Sequence, residues 1–166
     1  MNSIKNNYNI YLAILLSFMG ILYFCSIAKD PSLGDSLAFT VQGYRGFEFS
    51  SNATNHILFS NFLSLLHKIF PFINVHFLFV GVSILSGILT LFYLNKLLNL
   101  LGISPKSSFI CVMVLGFSFT FWRQAIITEV YTFYMLFSIL FLLNLFKFEL
   151  ATIFETKFIY SLCYIF

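Results

Sequence analysis

Apolar residues run almost unbroken through four long stretches of the chain, and polar residues gather between them. Residues 10–28 carry no charge. A helix needs about 20 mostly apolar residues to cross hydrocarbon, so this run is the first predicted span. Lys29 and Asp30 close it, and Pro31 stops any helix. Residues 75–94 form a second uncharged run, and 107–122 and 130–146 a third and fourth. The last two fall short of that length. The polar link from Arg123 to Glu129 is therefore expected near the membrane surface or inside protein. Residues 158–166 are apolar again, too few to cross, and read as the start of a fifth span. A secretory signal peptide cleaved after Ser26-Ile27-Ala28 is the competing reading of the first run. The length of that run and the spans that follow weigh against it.

Two segments break the pattern. Residues 29–55 are the most polar part, holding Asp30, Asp35, Arg45 and Glu48 with glycines at 34, 43 and 46. They read as an ordered loop with a short helix from Asp35 to Gln42. Residues 56–70 alternate with helical period: Ser60, Ser64 and His67 on one face, Leu58, Phe62, Leu66 and Ile69 among the apolar positions. About 15 amphipathic residues before Pro71 predict a helix lying in the membrane interface, with Asn55 as its N-cap.

Composition agrees with this pattern. Hydrophobic types make up 60% of the 166 residues and charged types 9%, against about 25% charged in an ordinary soluble domain. That excludes a water-facing globule and a disordered chain. The net charge of +3 comes from nine scattered basic residues, which gives no nucleic-acid footprint. The expected class is an all-α, multi-pass integral membrane protein with a single membrane domain. With the N-terminus in the cytoplasm, Lys5, Lys96, Lys106, Lys147 and Lys157 lie inside, and Lys29, Arg45, Lys68 and Arg123 outside. This is a small positive-inside excess. It places the Asp35 loop and the Arg123–Glu129 link together on the outer side. Lysine predominates over arginine, which points to an AT-rich genome and hence a bacterial inner membrane. Asn52-Ala53-Thr54 is a glycosylation sequon only in a eukaryotic setting. Cys25, Cys111 and Cys163 lie far apart inside apolar runs, without metal-ligand spacing.

Few residues could carry chemistry. Asp35 follows the first span, beside a turn glycine. A carboxylate held against apolar walls at a membrane surface can act as a general base; the same Asp can instead cap a helix over residues 36–42. Glu129 and Arg123 punctuate the apolar stretch 107–146, and ionisable groups at membrane depth are functional candidates. Six residues apart, they fall on different helical faces, so Arg123 is free to meet an anion such as a lipid phosphate. His56 and His67 are eleven residues apart, about 16 Å along one helix, too far to share a metal ion. They read as solvated interfacial histidines.

Two strings together resemble a known family. Gly34-Asp35-Ser36, just past the first span, resembles the first outer loop of GT-C-type membrane glycosyltransferases. Phe121-Trp122-Arg123-Gln124-Ala125 followed by Glu129-Val130-Tyr131 resembles a motif of one branch, a family of unknown function related to protein O-mannosyltransferases. The resemblance covers about residues 8–147. It implies that Asp35 is the outer-loop catalytic base. Asp35 would deprotonate an acceptor hydroxyl on a protein or lipid, which attacks a sugar carried on a polyprenyl phosphate. Arg123 is the cation in position for that phosphate, with Glu129 and His56 as further donor-binding candidates. No cofactor is implied, and a divalent metal is left open. Two features depart from the family pattern. Ala38 stands where a Glu is usual, and the text from Asn52 to Phe59 has a histidine but none of the usual prolines. Family members also continue for many more spans, so the chain is expected to be the N-terminal portion of a longer protein. The alternatives are a non-catalytic membrane scaffold or interaction protein, and a transporter fragment with charges paired at mid-membrane.

Overall fold

The structure is a computed structural model that describes residues 2–31, 34–46 and 56–163, with side chains for 7–31, 34–46 and 56–150. Every regular element in these residues is a helix: α1 (Asn2–Cys25), α2 (Asp35–Arg45), α3 (Ile57–Ile69), α4 (Val75–Leu100), α5 (Pro105–Gly116), α6 (Phe119–Ala125) and α7 (Tyr131–Cys163). Three segments, Asn7–Cys25, Val75–Leu100 and Tyr131–Leu150, are long and apolar enough to cross a membrane. Together α5 and α6 pass the same test, although they are bent by 66° at their junction. A multi-pass helical membrane protein accounts for this.

Local chemistry sets the boundaries. At the end of α1 the Leu22 carbonyl accepts from both the Ser26 amide, at 3.0 Å, and the Ser26 hydroxyl, at 2.7 Å. Asn74 caps α4 by accepting from the His76 amide at 2.9 Å. Ser104 caps α5, with Pro105 in its first turn.

Several elements differ from the sequence pattern. The third run is two helices. Residues 131–146 and 158–163 lie on one continuous 33-residue helix, α7, so among the described residues no separate helix begins near 158. Asn95 and Lys96, which close the apolar run 75–94, fall inside α4. Gly34 holds the cap position of α2 at φ 99°, and Asp35 lies in the first turn without a side-chain capping bond. The helix-cap reading of Asp35 is thereby corrected. Asn55, Glu48 and the sequon lie outside the described residues; His56 occupies the cap position of α3 and makes no side-chain capping bond.

The central helix is α4, which meets every other described helix. Its buried Ser83, Ser86, Gly87 and Thr90 allow the close approach that helices in lipid need. One core joins Leu12, Leu16, Met19 and Tyr23 of α1 to Leu91, Val112, Phe121 and Ala125. On the other side of α1, Ile10, Ile14, Phe18 and Ile21 are exposed. A helix apolar all round, packed on one stripe only, suits a lipid-facing position. The second core gathers Phe39, Phe59, Leu63, Val75, Phe79, Val130 and Phe133 beneath α2 and α3. The polarity of α3 is inverted relative to a helix in water. Ser60, Asn61 and Ser64 are buried while Leu58, Leu65 and Ile69 are exposed, so the polar stripe faces protein.

Hydrogen bonds mark two ends of the bundle. At one, the Tyr8 and Ser108 hydroxyls both donate to Asn95 Oδ1. At the other, His76 Nε2 donates to the Ala28 carbonyl at 2.7 Å, and the Ala28 amide donates to the Ile126 carbonyl at 3.3 Å. α1 and α4 are therefore antiparallel. The bent pair passes from the Asn95 end, through Ser108, to the Ala28 end, at Ile126.

Candidate functional site

The Ala28 end holds the candidate residues, and the bend between α5 and α6 helps to place them. A broken helix at membrane depth must have its freed backbone groups satisfied. Here the Tyr23 hydroxyl donates to the Gly116 carbonyl at 2.6 Å, and Ser118 Oγ donates to the Leu115 carbonyl at 2.7 Å. Gly116 packs closely, and a larger residue would require the end of Met19 to move. A Cβ there would lie 2.7 Å from the Met19 sulfur and 3.0 Å from Leu91 Cδ1. Trp122 stacks edge-on against Tyr23 at 5.0 Å, and its indole N–H donates to Ser26 Oγ at 3.1 Å. α6 is thus fastened to the end of α1, which fixes where the link 126–130 begins.

Glu129 lies in that link, half-buried. Its backbone is held by a single side chain of α4. The Glu129 amide donates to Ser83 Oγ at 3.4 Å, and Ser83 Oγ donates to the Glu129 carbonyl at 3.3 Å. Its side chain has a buried oxygen, Oε2, with no hydrogen-bond partner among the described residues. Burial pushes the Glu129 carboxyl above its ordinary value of 4.5, and the negative charge of Asp35 adds to the rise. Two residues 94 positions apart in sequence therefore sense each other electrostatically.

Asp35 is exposed at the start of α2, and the same helix buries Ser36, Phe39, Thr40 and Gly43. The helix sits tightly on α4: a Cβ on Gly43 would lie 2.8 Å from Val75 Cγ1 and closer still to the Phe79 ring. His56 belongs to the same neighbourhood. Its ring lies 6.0 Å from Phe39, one helical turn beyond Asp35, and its Nδ1 is 3.2 Å from the Tyr134 hydroxyl. His67 packs edge-on near Tyr44, 6.0 Å between ring centroids. Neither histidine is simply solvated.

Arg123 is separate. It lies exposed on α6 and lines a concavity of about 440 Å³ with Phe117, Phe119, Trp122 and Ile126. Among the described residues it makes no ion pair with Asp35 or Glu129. No three His, Cys, Asp or Glu side chains among the described residues converge as a metal site. Cys25 and Cys111 are free, exposed thiols.

Unpaired polar atoms are a feature of this end. Ser36 Oγ on α2, Asn61 Oδ1 and Ser64 Oγ on α3, and Thr128 Oγ1 beside Glu129 are buried without partners among the described residues. Residues the sequence reading passed over also matter: His76, Ser83, Tyr23 and Ser26 position the link without taking part in it. His76 had a signal, since it is an ionisable group at the edge of an apolar run. Ser83 had none.

No known protein-family model, curated protein sequence or solved structure matches the chain.

Proposed function

We propose that the chain is the N-terminal membrane portion of a GT-C-type glycosyltransferase that takes its sugar from a polyprenyl phosphate at the outer membrane face. The observation that supports this reading is the half-buried Glu129, whose carboxyl is raised above its ordinary value by burial first and by the charge of Asp35 second. A like charge nearby and burial both raise a carboxyl's pKa, and both act on Glu129. Asp35, exposed and free of capping duty, accepts the proton of the acceptor hydroxyl. The acceptor oxygen then forms its bond to the anomeric carbon as the bond to the polyprenyl phosphate breaks, and the phosphate leaves with that electron pair. Glu129, whose carboxyl pKa is raised by burial and then by Asp35, stands beside Asp35 as a site-organising group. Arg123, set among aromatic and aliphatic side chains, suits the phosphate of a lipid carrier. His56, set against Phe39 and Tyr134 at the start of α3, is a further donor-binding candidate at the same end. α3 itself is an interfacial helix with its apolar face toward lipid.

The test is transfer of mannose or glucose from the polyprenyl-phosphate sugar in membranes containing the complete protein. Asp35→Asn lowers turnover by about 10²–10⁴, the usual worth of a general base. A loss below tenfold, with the protein present at its normal level, removes the base assignment. Unchanged behaviour of both Asp35→Asn and Glu129→Gln leaves the scaffold reading in its place.

A further inference from the structure

A groove between α1 and α5 lies at the opposite end of the bundle from Asp35 and Glu129. It measures about 720 Å³, and Tyr8, Tyr11, Phe18, Lys106, Ile110 and Met113 are among its lining residues. Tyr8 and Lys106 mark one end of it, beside Asn95 and Ser108. From Tyr8 to Phe18 is ten helical residues, about 15 Å along the axis. That is about half of a ~30 Å hydrocarbon core, or the depth of one leaflet.

The charge at its mouth selects what fills it. Residues 1–28 and 94–110 contain Lys5, Lys96 and Lys106 and no Asp or Glu. Lys96 is held over the Phe92 ring at 4.4 Å. An apolar helix laid over the groove would leave Lys106 unpaired at the edge of hydrocarbon, an expensive arrangement. A lipid phosphate pairs it while the acyl chain covers the aliphatic wall. We infer that the α1–α5 groove seats one anionic phospholipid, with its headgroup phosphate on Lys106 and an acyl chain along Tyr11, Phe18, Ile110 and Met113. The site is at the wrong end to serve the acidic pair, and it stands whether or not the chain belongs to a glycosyltransferase.

The test uses the purified chain in detergent, offered dioleoyl phosphatidylglycerol and dioleoyl phosphatidylcholine in equal amounts, with bound lipid counted by native mass spectrometry. One phosphatidylglycerol is retained, favoured over phosphatidylcholine by about fivefold, the worth of one lysine near a membrane surface. Lys106→Gln removes the preference. Ile110→Trp fills the groove and removes retention of both lipids; Ile14→Trp does the same from the α1 wall should α5 be disturbed. All three positions are exposed, and circular dichroism confirms that the variants keep their helices. Equal retention of the two lipids by the unaltered chain, a preference that survives Lys106→Gln, or lipid still held by both tryptophan variants overturns the proposal. So does a dimer that loses its second copy on Ile110→Trp, which assigns the groove to another chain.

Discussion

At the Asn95 end of the bundle, two hydroxyls from two helices converge on one carboxamide oxygen. At the Ala28 end, Ser36, Asn61, Ser64, Thr128 and Glu129 each keep a buried polar atom without a partner among the described residues. Both ends belong to the same chain, and both use small polar residues on apolar helices. Paired groups at membrane depth hold helices together. Unpaired ones cost stability wherever they are buried. The Ala28 end combines satisfied contacts such as His76–Ala28 and Trp122–Ser26 with unpaired atoms near Asp35 and Glu129, and local cost of that kind is what the proposed site would carry.

The comparison can be broken at several points. On the proposed function, the largest expected contrast is in sugar transfer. Asp35→Asn costs about 10²–10⁴, whereas Asn95→Leu acts only through stability and leaves the turnover of folded protein within a few-fold. Next comes packing at the open end. Gly43→Ala drives a methyl into Val75 and Phe79 and costs about 1–3 kcal/mol, read by reversible denaturation in mixed micelles. Loss of less than about 0.5 kcal/mol would mean that α2 is not seated on α4. Asn95→Leu strands the Tyr8 and Ser108 hydroxyls and costs about 1–2 kcal/mol. Thr128→Val removes a hydroxyl that has no partner, so it is neutral or slightly stabilising. Equal losses at 95 and 128 would erase the difference between the ends.

A pH series sharpens the same point. Burial and Asp35 raise the Glu129 pKa above 4.5 in the folded chain, so the folded state holds this proton more tightly than the unfolded one. The stability this provides is full below 4.5 and is lost as pH rises through the folded value. Glu129→Gln abolishes that loss and flattens the profile, and Asp35→Asn reduces it.

Much of the fold is legible in the sequence because apolar run length is a strong signal in membranes. The runs 10–28 and 75–94 correspond to α1 and α4, and the helix expected at Asp35 is present, extended to Arg45. The bend at Gly116–Ser118 was hidden, because glycine and serine are common in unbroken spans and the Tyr23 hydroxyl that stabilises the break lies 93 residues away. The inward turn of Ser60, Asn61 and Ser64 was hidden as well: helical period shows that a face exists, not which solvent it meets. Asp35 and Glu129 were visible as isolated acids. Their pairing was visible only as a shared predicted side of the membrane, and Ser83, which holds the Glu129 backbone, gave no signal among the serines of α4.

The most direct measurement is the titration of Glu129 by carbon-13 NMR of glutamate-labelled chain in detergent, assigned with Glu129→Gln and repeated in Asp35→Asn. The account predicts one glutamate titrating above the ordinary 4.5, moving downward when Asp35 loses its charge. A Glu129 that titrates at the ordinary value, or that ignores the change at Asp35, would contradict a shared acidic site.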